Sequence, residues 1–176
     1  AGGASAAARA RRLEEDAQII LIERGYEPSF ANCGLPYYVG GEIESRGKLL
    51  VAPAERLRQR YRLDVRTRQE VVAIDRNQKT VSVKNLENGE TYDETYDRLI
   101  ISTGASPFRP PIPGIDSSHV LELRDLVDAD RMHERAANGN SRRVVIVGAG
   151  FIGIEVAENL ARRGLDVTIV ELADQI

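Results

Sequence analysis

Gly148-Ala-Gly150-Phe-Ile-Gly153 stands directly after the apolar run Val144–Val147 and opens the helix-favouring stretch IEVAENLARRG, which leads into LDVTIVE. Strand, glycine turn, helix and strand in that order predict a βαβ unit. Each glycine has a physical role, respectively a tight turn, close backbone approach to a pyrophosphate, and close packing of helix on strand. The helix N-terminus offers unpaired N–H groups and a positive dipole end to phosphates. Phe151 and Ile152 fill the turn, and Glu171 ends the second strand 23 residues after Gly148, where an acid bonds ribose hydroxyls. A glycine turn with a purely structural role is the alternative; the surrounding pattern favours dinucleotide binding. An acid at Glu171 repels a 2′-phosphate, so NADH is favoured over NADPH, and Arg162 and Arg163 lie on the intervening helix.

The N-terminus reads as the tail of the same pattern. Gly2-Gly3 precedes a small-residue helix over 3–13, and Gln18–Glu23 (QIILIE) forms an apolar strand ending in an acid 20 residues beyond Gly3. An Ala-rich capping helix is the alternative. The leading glycines and first strand of such a unit are absent, and the second unit stops after its second strand, so the chain reads as a fragment at both ends. Between the two patterns, residues 25–53 read as irregular and Ala54–Tyr61 as helical. VVAID (71–75) and TVSVK (80–84) read as strands, with a hairpin turn at Asn88-Gly89, and DRLIIST (97–103) as a further apolar strand. SPFRPPIPG (106–114) holds four prolines and reads as an interdomain linker, followed by a helix over Asp125–Ala137.

A net charge of −3 from 24 basic and 27 acidic residues gives no global pull toward nucleic acid or an anionic membrane. No apolar run reaches the roughly 18 residues of a membrane-spanning helix. One cysteine excludes an intrachain disulfide and a Cys-based zinc cluster, and suits a reducing compartment, hence the cytoplasm. No metal-ligand spacing and no Ser-His-Asp set is present.

That cysteine, Cys33, lies in Ser29-Phe-Ala-Asn-Cys-Gly-Leu-Pro-Tyr-Tyr-Val-Gly-Gly. Asn32 suits a helix N-cap and Pro36 a first helical turn, which would lower the thiol pKa and favour thiolate. A buried, inert cysteine is the alternative. A C-x4-C pair would need a second thiol at position 38, where Tyr38 stands. Cys33 is therefore restricted to one-cysteine chemistry: a mixed disulfide with a small thiol, or a sulfenic acid formed by peroxide. Arg9, Arg11 and Arg12 suit phosphates or form a solvated helix face. His133 reads as a surface-helix residue without a notable partner.

The segments GGASAAARARRL, SFANCGLPYYVGG, TYDRLIISTGASP, VVIVGAGFIGIEVAENL and VELADQI together resemble the pyridine nucleotide–disulfide oxidoreductases, in particular the single-cysteine coenzyme A-disulfide reductase, persulfide reductase and NADH oxidase branch. SFANCGLPY favours the reductases within it. The resemblance implies an α/β fold of Rossmann-like FAD-binding (1–107) and NAD(P)H-binding (108–176) domains with three-layer β/β/α character, both incomplete. It implies FAD and NADH or NADPH as cofactors, coenzyme A disulfide or persulfide as substrate, and a cytoplasmic homodimer.

By the same resemblance, Cys33 is the nucleophile. Gly2 and Gly3 approach the FAD pyrophosphate, and Glu23, with Arg24 beside it, meets the adenosine ribose. Pro36 lies near the flavin, Val72 on the adenine side, and Thr103-Gly104 close to the phosphates. Ser5, Arg9, Arg12, Ser29 and Asn32 match coenzyme A positions. Gly148, Gly150, Phe151, Ile152, Gly153 and Glu171 bind NAD(P)H, with Glu155 near the nicotinamide. A lysine of the family's substrate site is replaced around Tyr61, between Arg60 and Arg62. The second FAD-binding segment and the dimerisation domain, with its partner-chain tyrosines, are absent from the chain. The implied reaction passes a hydride from NADH to flavin and electrons on to a Cys33–coenzyme A mixed disulfide. Two other readings accompany it: an NADH oxidase or peroxidase working through Cys33 sulfenic acid, and an inactive nucleotide-binding fragment.

Overall fold

The structure, a computed structural model, describes residues 2–139 and 142–174. Along the chain run α1 (Gly2–Leu13), β1 (Ile20–Glu23), α2 (Leu35–Gly40), α3 (Ala54–Tyr61), β2 (Asp64–Thr67), β3 (Gln69–Asp75), β4 (Thr80–Asn85), β5 (Thr91–Thr95), α4 (Leu126–Ala137), β6 (Arg143–Val147), α5 (Phe151–Arg162) and β7 (Asp166–Val170). Short 3-10 turns cover Asn32–Gly34 and Arg46–Leu49. The chain divides into two compact units: residues 1–30 with 50–105, and 31–49 with 106–176.

In the first unit β1 and β2 pair in parallel, from Ile20 opposite Asp64 to Glu23 opposite Thr67. The buried alanines of α1, at 4, 7 and 8, recur at helical spacing and present a face of small side chains. That face packs with Leu21, Leu57, Leu63 and Val65 into one apolar core. Arg11 ties the ends of both helices together. Its guanidinium donates to the carbonyls of Tyr61 (2.9 Å) and Arg62 (3.1 Å) at the end of α3, and of Glu14 (3.3 Å) and Glu15 (2.6 Å) beyond α1. Carbonyls that no helix turn can satisfy are thereby paired. Strands β3, β4 and β5 form an antiparallel sheet whose Val81 and Val83 face inward.

Two expectations change here, and one strand is additional to those expected. The strand β2 carries no apolar alternation beyond Val65, so the sequence does not signal it. Residues 97–103, expected as a strand, join no ladder; Leu99, Ile100 and Ile101 are exposed, with no described strand in hydrogen-bonding register beside them. Residues 25–53 are less irregular than expected, because α2 and both 3-10 turns lie within them.

The second unit is built on the parallel pair β6–β7, aligned from Arg143 opposite Asp166 to Val147 opposite Val170. α5 connects the two strands and buries Val156, Ala157, Asn159 and Leu160. Residues 31–49 depart at the isolated bridge between Phe30 and Leu50. Their helix α2 packs against both α4 and α5. A capping box fixes the start of α4: the Asp125 carboxylate accepts from the amides of Val127 and Asp128, and Asp128 accepts from Asp125 N–H.

Leu57 is 2 % exposed and is the only buried residue of α3. Leu57→Ala removes the contact between that helix and the parallel pair, and we expect a loss of about 2–5 kcal/mol in chemical denaturation. The exposed Gln59→Ala is expected to stay within about 0.5 kcal/mol. Equal effects at the two positions would contradict the core described.

Candidate functional site

The glycine turn of the second unit has the geometry that its sequence requires. Gly148 takes φ +100°, a left-handed conformation that side-chain-bearing residues rarely adopt. A Cβ on Gly153 would stand 2.2 Å from the Gly148 carbonyl oxygen, so nothing larger than glycine fits there without displacing the turn. At Gly150 a Cβ would meet nothing within 4 Å, so the outer side of the turn is open to an approaching group. α5 starts at Gly150 with no side-chain cap and no acid in its first turn, which leaves first-turn N–H donors unclaimed by its own side chains. Phe151 and Ile152 are exposed at this entrance, and Glu155 is half-buried one turn on.

Glu171 closes the turn from the end of β7. Its carboxylate accepts from the amides of Ala149 (2.6 Å), Leu172 (2.8 Å) and Ala173 (3.0 Å). These bonds, Ala149 foremost, lower its pKa below the ordinary carboxylate value. The group is therefore a fixed, exposed anion beside the phosphate-type cradle, with lone pairs to spare for hydroxyl donors. Donor set and close glycine contacts both fit a pyrophosphate-bearing dinucleotide. Arg162 and Arg163 point elsewhere, Arg162 to Glu42 and Glu158 and Arg163 to the carbonyl of Val39.

The first unit carries a second candidate, a cleft of about 950 Å³ whose lining includes Gly3, Ala7, Glu23, Val71 and Thr103. Small residues on α1 give close access to its backbone, and α1 has no acid in its first turn. Ser102 stands over this helix start, its side chain 3.5–3.7 Å from where Cβ atoms of Gly2 and Gly3 would be. The Glu23 carboxylate accepts from Gly25 N–H at 2.7 Å and lines the cleft at the strand end, where a ribose diol could be bonded. A nucleotide carrying phosphates and a ribose fits this set. Of the residues expected at this site, Gly2, Arg24, Pro36, Val72 and Gly104 are not among those lining the cleft. Arg24 is turned to Glu70 at 3.5 Å, and Val72 is an exposed residue at a β-bulge between Val71 and Ala73. Gly104 also takes positive φ, +71°, just past Thr103.

Cys33 is exposed in the 3-10 turn that runs directly into α2. Asn32 does not cap this start as expected. Ala31 occupies the cap position with no side-chain cap bond, and Asn32 is itself the first residue of the turn. The turn is held by Ala31 N–H to the Leu49 carbonyl (2.8 Å) and Gly34 N–H to the Ala31 carbonyl (2.9 Å). Pro36 sits in the first turn of α2 as expected, buried with Leu35, Tyr38 and Val39.

The remaining expected residues divide between the units. Ser29 is buried in the first unit, whereas Asn32 and Cys33 belong to the second. Ser5 and Arg9 lie exposed on α1. Arg12 lines a shallow pocket of about 340 Å³ with Arg11, Glu15, Arg60, Tyr61 and Arg62, so the positive charge flanking Tyr61 meets that of α1.

His133, expected to lack a partner, has several. Its Nδ1 lies 2.7 Å from the Tyr38 carbonyl, and its ring stacks on the Tyr38 ring with centroids 4.6 Å apart. The Tyr38 hydroxyl donates to Asp130 at 3.0 Å, and burial, then this bond, raises the phenol pKa. Arg46 donates to the other Asp130 oxygen at 3.0 Å. The only sequence signal for this set is the i, i+3 spacing of Asp130 and His133 on α4.

The family model described as pyridine nucleotide-disulphide oxidoreductase matches residues 1–176. A coenzyme A disulfide reductase of Staphylococcus haemolyticus is 36% identical over 176 residues, covering 100% of this chain and 39% of that protein. The chain thus spans about two-fifths of the length of the curated relatives it matches. Among solved structures, reduced CoADR-RHD of Bacillus anthracis is 50% identical with a TM-score of 0.97, over 100% of this chain and 32% of that one. A NAD-dependent persulfide reductase from A. fulgidus is 36% identical with a TM-score of 0.91, over 99% and 32% respectively.

The Glu171 bonds give a pH signature. With the folded-state pKa depressed, they are fully formed above the ordinary carboxylate range and lost as pH falls through the folded value. In an acid titration followed by amide NMR, Ala149, Leu172 and Ala173 should shift together with one midpoint below that of ordinary glutamate. Glu171→Gln should abolish the shared transition. A midpoint at or above the ordinary value would contradict the geometry.

Proposed function

Because the chain belongs to the pyridine nucleotide–disulphide oxidoreductase family, we propose that the protein carrying it reduces coenzyme A disulfide, or the related persulfide, with NADH through Cys33. The observation that carries this reading is the exposed thiol of Cys33, the chain's one cysteine, with a tyrosine five residues on where a disulfide partner would stand. The names of the relatives support the substrate class, and the two nucleotide-fitting sites support the electron supply.

In this reading Gly148, Gly150, Gly153 and the α5 start bind the NADH pyrophosphate, with Phe151 and Ile152 in the turn, Glu171 on the ribose and Glu155 near the nicotinamide. Gly2, Gly3, Glu23, Thr103 and Gly104 hold FAD, with Pro36 on the flavin side and Arg24 and Val72 at the adenosine end. Arg9 and Arg12, with Ser5, Ser29 and Asn32, receive coenzyme A. Bound flavin supplies the two-electron relay between nicotinamide and sulfur. The Cys33 thiolate attacks one sulfur of the substrate, forming a Cys33–coenzyme A disulfide and expelling one coenzyme A thiolate. Two electrons and a proton originating from NADH then regenerate the Cys33 thiolate and free the second coenzyme A thiol. The sum is NADH, H+ and coenzyme A disulfide giving NAD+ and two coenzyme A thiols. The same reading takes the working form as a cytoplasmic homodimer, on the strength of the resemblance and of a lone thiol suited to a reducing compartment.

Anaerobic titration of the FAD-loaded protein with NADH, followed by coenzyme A disulfide, tests the reading. Flavin should be reduced and then reoxidised by the disulfide, and Cys33→Ser should abolish reoxidation while leaving reduction by NADH intact. Reoxidation at equal rates in both proteins, and only by oxygen, would replace this reading with an oxidase. In parallel, Gly153→Ala should weaken NADH binding by about tenfold or more, since the turn must move off a 2.2 Å contact. Unchanged binding would remove the glycine turn from the site.

A further inference from the structure

We infer that His133, Asp130 and Arg163 are positioning residues for Cys33, acting through α2; this rests on the role of Cys33 proposed above. The reasoning starts from length. α2 has six residues, whereas isolated helices shorter than about 12–15 residues are marginal in water. Cys33 lies in the 3-10 turn that feeds this helix without a break, so whatever fixes α2 fixes the backbone that carries the thiol.

α2 is fixed from outside its own segment. Two of its terminal carbonyls accept side-chain donors from two other helices: Val39 O, and Tyr38 O in addition to the backbone N–H of Gly41 at 3.0 Å. A carbonyl can only accept, so His133 of α4 carries its hydrogen on Nδ1 and donates it to Tyr38 O at 2.7 Å. Arg163, at the end of α5, donates to Val39 O at 2.7 Å. Its Nη1 also lies 3.5 Å from His133 Nδ1, but two donors make no hydrogen bond, so the Val39 carbonyl is its partner. The Tyr38 ring is held flat between stacking on His133 and the hydroxyl bond to Asp130, which Arg46 orients from the 3-10 turn at 46–49. Gly40 completes the contact: a Cβ there would lie 2.7 Å from the buried Asn159 of α5.

Position 38 is thus a mechanical anchor where a two-cysteine enzyme would have a second thiol. A mixed disulfide with an external thiol demands that an exposed cysteine meet its substrate along a defined sulfur–sulfur axis, and no partner thiol in the chain enforces that alignment. The clamp on Tyr38 supplies it.

The test uses the FAD-loaded protein and compares parent, His133→Leu, Tyr38→Phe and His133→Asn, the last restoring an amide N–H near the Nδ1 position. Quenched-flow mass spectrometry reads capture of coenzyme A disulfide by Cys33, and iodoacetamide reads the thiol with a small, undirected reagent. Capture should slow about tenfold in His133→Leu and Tyr38→Phe and return to within about threefold of the parent in His133→Asn. Alkylation should change less than about twofold in all three, since access to the thiol is unaltered. Flavin reduction by NADH should not change. Capture by His133→Leu within about twofold of the parent would overturn the inference. So would faster alkylation in parallel with altered capture, because local melting exposes the thiol to any reagent. If the parent itself captures no coenzyme A disulfide, the proposed function falls, and an aromatic disulfide reagent then judges the clamp: slower capture in His133→Leu upholds it and equal capture ends it.

Discussion

Two backbone carbonyls at the end of a six-residue helix organise the second unit. Val39 O would be an orphaned acceptor in an ordinary short helix, whereas Tyr38 O already accepts from the Gly41 N–H of the helix's own cap at 3.0 Å. Here Arg163 takes Val39 O, and His133 adds a second donor to Tyr38 O. An unsatisfied buried polar group costs on the order of 1–3 kcal/mol, which the Arg163 donor avoids at Val39 O, while the second bond from His133 ties the same segment to α4. The remaining contacts follow from that arrangement: the Tyr38 hydroxyl reaches Asp130, Gly40 accommodates Asn159, and Val39 is fully buried. Capping by side chains from elsewhere in the chain is how a helix too short to persist alone can carry a thiol.

Arg11 does comparable work in the first unit. One guanidinium meets four carbonyls, at the ends of α1 and α3, and so fixes how the small-residue helix lies on the β1–β2 pair. In sequence Arg11 belongs to an arginine cluster and is easily grouped with ligand-binding arginines. Arg11 and its neighbour Arg12 line the same pocket beside Arg60 and Arg62, and the Arg11 guanidinium is committed to backbone carbonyls.

Local rules make much of this legible. The glycine turn can be read because each of its glycines answers a backbone demand: a positive φ at Gly148, a contact at Gly153 that admits no Cβ, an open approach at Gly150. The helix over Ala54–Tyr61 and the strands around 71–75 and 80–84 follow from periodicity and turn residues. What is not legible depends on partners distant in sequence. α2 is too short for periodicity to reveal, and its stabilising groups lie on α4 and at the end of α5, at sequence separations of 95 and 124. DRLIIST is apolar enough for a strand but forms none, since a strand is defined by its neighbour and not by its own composition. His133 looks solitary in the sequence because a stacked ring and a carbonyl partner leave no mark there.

The same contrast bears on Cys33. A cysteine in a Gly- and Pro-rich loop is ambiguous between inert packing and chemistry, and in the structure the Cys33 thiol is exposed, not buried. Its near successors Leu35, Pro36, Tyr38 and Val39 are all buried. An exposed sulfur set at the edge of a segment this thoroughly anchored combines access with fixed direction. A two-thiol centre can tolerate a looser segment, since closing its own disulfide brings the reacting atoms together. In the mechanism proposed for Cys33, with Tyr38 in place of a second thiol, that alignment would be built into the backbone by the contacts on the residues following Cys33.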